Sequence, residues 1–234
     1  MFPCFNEAYN LSRLVGNIVK AFAEASSDVE VILVDNGSTD DTAELLPQLI
    51  APHQNIQTCR VSINRGYGFG VLSGLSMATG EILGWTHADM QTDPKDALEG
   101  FSLFSQTTYP EHLFVKGSRY GRPFLDQVFT YGMSIFESVL FRARMSEINA
   151  QPTLFHRKFY LTWKHPPNDF SLDLYVYVLA VKSGLAIKRF PVAFEDRLAG
   201  FGTNDQLNQK ISNSRKLITE SLMLRRQFNK EGCY

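Results

Sequence analysis

The sequence predicts an α/β fold, a mostly parallel sheet with helices on both faces. Three observations lead there. Short β-rich apolar runs alternate with amphipathic helical stretches through the first half. The 234 residues suit one domain with a sizeable core. The polar motifs fall where the apolar runs end, and parallel sheets bind ligands outside the carboxyl ends of their strands.

The elements follow in order. Residues 10–25 read as a helix, with Leu11, Leu14, Val15, Ile18, Val19 and Phe22 at helical spacing. Residues 30–34 read as a strand, 42–50 as a helix, 56–61 as a strand and 68–78 as a helix, and the apolar run at 82–85 precedes a polar segment. Asp93 and Asp96 then read as caps of a further helix. Downstream, 114–117 reads as a strand, 129–142 as a helix and 154–159 as an apolar-to-basic edge or turn. Residues 169–183 read as a helix, buried because Leu174 to Val181 is almost wholly apolar, and 186–194 as a last strand. The organisation is one domain over residues 1–203, followed by a polar, basic-tipped helical tail over 204–234.

Bulk properties exclude several classes. Lys and Arg number 23 against 24 Asp and Glu, so no global field favours nucleic acid. Cys4, Cys59 and Cys233 are far apart and odd in number, without a Cys-x-x-Cys pair, which suits a reducing compartment. No run reaches the roughly 18 to 20 apolar residues of a membrane span, and no signal core follows a basic N-terminus. A cytoplasmic protein is expected, with room for a peripheral seat on a membrane.

Chemistry concentrates in Trp85-Thr86-His87-Ala88-Asp89-Met90-Gln91-Thr92-Asp93-Pro94. Alternation after the apolar run would send His87, Asp89 and Gln91 to one side. Hard divalent cations take oxygen ligands of the kind Asp89 and Gln91 offer, and a diphosphate needs such a cation. Asp35, at the end of Ile32-Leu33-Val34-Asp35-Asn36-Gly37-Ser38, can accept hydrogen bonds from a base or ribose. Ser38, Thr39 and Asp40 read equally well as N-cap residues for the next helix. Asn64-Arg65-Gly66-Tyr67-Gly68-Phe69-Gly70 lacks the spacing and the acidic partner of a dinucleotide fingerprint. Its glycines read as a tight turn and close helix packing, with backbone N–H groups near a donor as a second role.

Taken together, Phe2-Pro3-Cys4-Phe5-Asn6-Glu7, the Asp35 segment, Asn64 to Gly68, Ala78-Thr79-Gly80-Glu81 and His87-Ala88-Asp89 resemble, in order and spacing, the inverting family-two glycosyltransferases. Within these the chain looks most like the dolichol-phosphate mannose synthase and polyprenyl-phosphate hexosyltransferase branch, over residues 2 to about 202. The resemblance implies a GT-A-type fold and a nucleotide-sugar donor. It puts Asp35 on the nucleobase, with Pro3, Glu7, Gly66 and His87 lining the donor pocket, and a divalent metal (Mn or Mg) on Asp89 and Gln91 with His87. Lys116-Gly117-Ser118-Arg119 matches the family's Gly-Ser-Arg segment, whose Arg sits on phosphate. Arg197 matches a late-loop Arg, and Arg122 and Ser134 are candidates for further acceptor-phosphate contacts. Guanidinium suits phosphate because it binds two oxygens in a fork. The chain starts only a few residues before its first motif, where related proteins have a longer strand, which suggests an incomplete or short N-terminus.

Three departures matter. His87 stands where the family usually has the first Asp of Asp-x-Asp, removing one negative charge and favouring Mn²⁺ over Mg²⁺. Asn149 stands where relatives often have an Asp in the acceptor-side loop, and Asn cannot act as a base. The late loop, Gly200-Phe201-Gly202-Thr203-Asn204, lacks the family's Lys. A phosphate acceptor is already ionised and tolerates the loss of a base, so the expected reaction is hexose transfer, with inversion, from a UDP- or GDP-linked sugar to a polyprenyl phosphate at the cytoplasmic membrane surface. Asp89, Arg119 and Arg197 would carry the catalysis. Two alternatives stand beside it: transfer to a glycan hydroxyl, and a degenerate fold that binds nucleotide without turnover. Asp169 and Asp173, one turn apart on one predicted helix face, are assigned no role as base. The tail admits a membrane contact, pairing into a homodimer, or packing on the core.

Overall fold

The computed structural model describes residues 1–23, 29–194 and 207–230, with side chains from residue 214 onward in the last segment. Its strands are β1 (Phe2–Cys4), β2 (Val31–Asn36), β3 (Ile56–Val61), β4 (Ile82–Trp85), β5 (Leu113–Tyr120), β6 (Thr153–His156) and β7 (Ala186–Ala193). The helices are α1 (Ala8–Phe22), α2 (Thr42–Ile50), α3 (Tyr67–Met77), α4 (Lys95–Ser105), α5 (Phe124–Phe141), α6 (Arg157–Tyr160), α7 (Leu172–Lys182) and α8 (Leu207–Lys230).

Strands β1, β2 and β3 form a parallel set in that order, and β4, β6, β5 and β7 form a second set. The Met1 nitrogen donates to Gly84 O at 2.9 Å and Thr86 N donates to Met1 O at 3.1 Å, the pattern of a parallel ladder. These bonds join β1 to β4, giving one sheet of order β3-β2-β1-β4-β6-β5-β7. Among the described residues only β6 runs antiparallel, between β4 and β5. It occupies the segment that the sequence suggests is an edge or turn. A run of four residues flanked by Pro152 carries too little alternation to reveal a central strand.

Helix α1 buries Leu11, Leu14, Val15 and Ile18 against Phe2, Leu33 and Leu46. The larger core gathers Trp85, Phe114, Phe155, Phe159, Tyr175 and Tyr177 around α7, whose residues are buried on nearly every side. The tail packs on this core: Phe228 of α8 stacks on Tyr175 at 5.3 Å between ring centroids and meets Phe141 edge-on.

Two expected helix features differ. Helix α7 starts at Leu172, so Asp169 and Asp173 do not share a helix face; Asp169 accepts from Ser171 N at 2.9 Å and caps the turn before the helix. At α4, Asp93 accepts from Lys95 N at 2.9 Å as a cap should. Asp96 does not cap; it lies buried, one carboxylate oxygen has no hydrogen-bond partner, and burial, with Asp93 next, pushes its carboxyl up to about 6.

Candidate active site at the carboxyl edge of the sheet

The site begins where β1 and β2 end. Cys4, Asp35 and Arg60 face one another in register across β1, β2 and β3. Asp35 is 3% exposed; one carboxylate oxygen accepts from Ser38 N at 2.9 Å, and the other lies 3.5 Å from the Arg60 guanidinium without a hydrogen bond. That second oxygen is a buried acceptor with capacity left.

The loops after β1 and β2 interlock. Asn6 accepts from Thr39 N at 2.8 Å and its own N–H donates to Ser38 Oγ at 3.0 Å. Glu7 N donates to Thr42 Oγ1 at 2.9 Å, while the Glu7 carboxylate takes the Asn10 amide at 2.7 Å. Asp40 accepts from both Thr42 N and Ala8 N. Burial pushes the Asp40 carboxyl up, but these bonds outweigh it and hold the group below its usual value. The three polar residues expected to cap α2 therefore differ in role: none caps it through a side chain at the N-cap itself, which is Asp41, and Ser38 and Asp40 tie the two loops together. Pro3, Glu7 and Asp35 are brought to one end of the sheet by this lacing.

Gly66 adopts φ +111°, and a Cβ there would stand 2.4 Å from Asn168 O; one at Gly68 would stand 2.5 Å from Pro167 O. Only glycine allows the 167–169 segment to lie on the start of α3, where Phe69 N donates to Asn168 O at 2.9 Å. These glycines serve close packing, as expected.

After β4 the chain does not alternate. Strand β4 stops at Trp85, Met90 takes φ +62°, and Ala88, Asp89 and Met90 are all buried. The Thr86 and Thr92 hydroxyls close the loop at 3.4 Å, and Asp89 accepts from Gln91 N at 3.2 Å. The expected strand alternation through His87, Asp89 and Gln91 is thus absent, because a turn with a left-handed residue replaces the strand. Among the described residues no three His, Cys, Asp or Glu side chains gather as a metal cluster. The donor groups this loop carries are one buried carboxylate at 8% exposure, Asp89, the amide of Gln91 and the imidazole of the half-buried His87. One carboxylate with an amide and an imidazole suits a borderline cation whose other ligands are phosphate oxygens.

A buried polar cluster lies next to this loop. The Lys116 ammonium, fully buried on β5, donates to Thr153 Oγ1 at 2.6 Å and lies 3.6 Å from Asp173 of α7. Gln151 donates to Asp173 at 2.7 Å and approaches the Tyr67 hydroxyl at 3.4 Å. Burial, partly offset by Asp173, brings the Lys116 ammonium down to about 8. Burial and the charge of Asp173 raise the Tyr67 hydroxyl, and Asp89 adds to that field. Asp173 also acts on Arg119. The cluster thus connects the Asp89 loop with the end of β5.

There the strongest grouping of the site appears. The Arg119 guanidinium lies 3.7 Å from the Glu147 carboxylate, and Arg119 N donates to it at 2.7 Å. Arg122 lies 3.7 Å from the same carboxylate and donates to Thr130 Oγ1 at 2.9 Å. Ser134 Oγ accepts from Glu147 N at 3.1 Å. Both guanidiniums face the Phe194 ring, at 5.4 and 5.6 Å from its centroid. Burial, reinforced by Arg122, lowers Arg119 to about 10. Three residues proposed from sequence, Arg119, Arg122 and Ser134, thus converge on a fourth that sequence reading missed. Asn149, exposed two residues further on, carries no carboxylate; Glu147, at φ +46°, supplies one to this turn. Arg189 of β7 holds that turn through the carbonyls of Gly117, at 2.9 Å, and Ser146. Arg197 lies outside the described residues.

Comparison with known proteins gives this geometry its setting. A family model described as Glycosyl transferase family 2 matches residues 1–159. The chain is 29% identical over 98 residues to the undecaprenyl-phosphate 4-deoxy-4-formamido-L-arabinose transferase of Proteus mirabilis, across 41% of this chain and 30% of that protein. It is 31% identical over 97 residues to the protein of the same name from Sodalis glossinidius, again across 41% and 30%. The similarity thus spans about 30% of the length of these curated relatives. Among solved structures, a glucosyl-3-phosphoglycerate synthase from Mycobacterium tuberculosis, in complex with Mn²⁺, UDP and phosphoglyceric acid, superposes with a TM-score of 0.70 at 18% identity, over 96% of this chain and 76% of that one. A mannosyltransferase from Pyrobaculum calidifontis, in complex with GDP-Man and Mn²⁺, gives 0.63 at 22% identity, over 86% and 56%.

Proposed function

Because the chain belongs to glycosyl transferase family 2 and has the GT-A-type fold, we propose that it is a hexosyltransferase moving a hexose, with inversion, from a UDP- or GDP-linked sugar to a polyprenyl phosphate. The observation that carries the acceptor side is the convergence of Arg119 and Arg122 on the Glu147 carboxylate, with Ser134 holding the Glu147 backbone N–H. Two largely buried guanidiniums sharing one carboxylate make a seat for oxyanions, and a phosphate offers the same fork with more charge. The undecaprenyl-phosphate transferases among the relatives support the same acceptor class.

In this reading Pro3, Glu7, Asp35, Gly66 and His87 line the donor pocket, and the Asp35 oxygen left without a hydrogen bond takes one from base or ribose. Asp89, Gln91 and His87 would hold Mn²⁺ or Mg²⁺, which supplies neutralisation of the donor diphosphate. An acceptor phosphate oxygen attacks the anomeric carbon on the face opposite the diphosphate. The new carbon–oxygen bond forms as the bond to the diphosphate breaks, and the electron pair leaves with the diphosphate oxygen. No proton need be removed, so the site needs no base. Glu147, engaged by two guanidiniums and a backbone N–H, serves as their counter-ion. Arg119 and Arg122 stabilise charge on the acceptor side, and Arg197 completes the cationic set by resemblance. The protein would work on the cytoplasmic face of a membrane, with residues 1–203 as the transferase domain and the tail packed against it.

Asp89→Ala tests the donor half. Transfer should fall on the order of 10²- to 10³-fold, with an unchanged melting temperature and with loss of the dependence of UDP or GDP binding on Mn²⁺. Calorimetric titration with and without chelator reads the binding; undiminished transfer would remove Asp89 from the site.

A further inference from the structure

An exposed aromatic ring is held in place just before α7. Phe170 is 52% exposed, yet its ring stacks on that of Tyr67 with 5.0 Å between centroids and 5° between planes. Such a stack covers one face of Phe170 and leaves the other to solvent. Single exposed phenylalanines are ordinary, but this one is fixed from below and from behind. Below it, Tyr67 opens α3; its hydroxyl meets the Gln151 amide at 3.4 Å, and that amide donates to Asp173 at 2.7 Å. Behind it, segment 167–169 lies on the start of α3 because Gly66 and Gly68 place no Cβ in its way, and Phe69 N donates to Asn168 O at 2.9 Å. Asp169 then takes the N–H of Ser171 at 2.9 Å and its hydroxyl at 2.6 Å. A ring whose backbone and one face are both fixed offers a ligand a surface that costs little further ordering.

Placement decides which ligand group meets that surface. Gly66 O accepts from Asn36 Nδ2 at 3.0 Å, which ties the start of α3 to the residue after Asp35. The Tyr67 hydroxyl lies within the field of Asp89 and of Asp173. A nucleoside diphosphate sugar with its base at Asp35 and its diphosphate at Asp89 carries its hexose beyond Asp89, towards the polar cluster to which Tyr67 is tied. Asn168 and Asp169, both exposed, give the ring a polar border. A pyranose has C–H bonds on its faces and hydroxyls around its rim, which match an aromatic face with such a border. A prenyl chain has no groups for the border, and in the proposed reading its phosphate sits at Arg119 and Arg122. We propose that the free face of Phe170 is the platform on which the hexose of the donor packs, with Tyr67 as the positioning residue that holds it there. The inference rests on the nucleotide-sugar reading above and deepens it.

The test titrates the full chain by calorimetry, in Mn²⁺, with UDP, UDP-glucose, GDP and GDP-mannose. Comparing each conjugate with its own diphosphate isolates the hexose. For the base that binds, Phe170→Ala should raise the Kd of the conjugate about fivefold or more while the Kd of the diphosphate stays within about twofold. Its melting temperature should equal that of the parent. Phe170→Tyr keeps the ring face and should bind both ligands as the parent does. Tyr67→Leu should show the same selective loss, and adding Phe170→Ala to it should cost no more than about twofold further, because both changes remove one platform. Equal weakening of conjugate and diphosphate by Phe170→Ala would make the ring a contact of the nucleoside and overturn the proposal. A conjugate bound as tightly by Phe170→Ala as by the parent would overturn it too, and a raised KM for a prenyl phosphate in that variant would assign the ring to the acceptor chain. In both cases the parent still binds nucleotide, and the donor reading stands. A parent that binds neither diphosphate nor conjugate overturns the donor reading, and the platform with it.

Discussion

Glu147 is the residue on which the proposed acceptor side turns. It holds two guanidiniums whose Nε atoms are buried without hydrogen bonds, so removing its charge leaves like charges facing each other across a poorly solvated gap. Glu147→Gln should therefore lower stability by roughly 1–3 kcal/mol, and millimolar phosphate should restore part of the loss by taking the vacated charge. Denaturant unfolding with and without phosphate reads both effects; a variant as stable as the parent and indifferent to phosphate would mean that the arginines do not form an anion seat. The sequence pointed to Arg119, Arg122 and Ser134 through the family's Gly-Ser-Arg segment, but not to Glu147. Nothing in Met145-Ser146-Glu147-Ile148 marks a functional carboxylate until folding lays that turn across the end of β5. Asp89 and Asp35 were legible because each follows an apolar run and so had to sit where a strand ends.

At the scale of elements, boundaries were legible wherever polar punctuation flanked the run. Residues 42–50 and 56–61 have the bounds that propensity and pattern predict. The misses share a cause, tertiary context. Strand β6 is four residues long and gains its place from β4 and β5 on either side, and the turn after Trp85 reflects bonds that Thr86, Asp89 and Thr92 make within the loop. The clasp between α5 and α8 carries a pH signature. Burial brings the Glu137 carboxyl up to about 7, while the Ser221 hydroxyl, bonded to it at 3.1 Å, opposes that rise. The folded state thus keeps a proton on Glu137 that the unfolded chain releases near its ordinary value of 4.5. That contribution is fully present below about 4.5 and is lost as pH rises through about 7. Glu137→Gln should remove the slope between these values and raise stability at pH 8 by about 1–3 kcal/mol. Melting temperatures of both proteins from pH 5 to 8 check this, and parallel curves would show that the carboxyl is ionised throughout.

Across the whole molecule, one sheet places the proposed site residues at its carboxyl edge. The β1 and β2 ends present Pro3, Glu7 and Asp35, the β4 end presents the His87 to Gln91 loop, and the β5 end presents Arg119 beside Glu147. The cluster of Lys116, Asp173, Gln151 and Tyr67 lies between the last two and couples them through charge. The α/β class was legible from alternation alone, because parallel strands buried on both faces must read as apolar runs between helices. The join between β1 and β4, and the single reversed strand, belong to the assembled sheet and have no local signature. The central claim is transfer to a phosphate held by Arg119 and Arg122. The most direct measurement offers the protein labelled UDP- and GDP-hexoses with Mn²⁺ and three acceptors: a polyprenyl phosphate, the corresponding polyprenol, and an oligosaccharide. The account predicts labelled product with the polyprenyl phosphate alone, from one of the two donors, and its loss in Arg119→Ala. Product on the polyprenol or the oligosaccharide, with none on the phosphate, would contradict it.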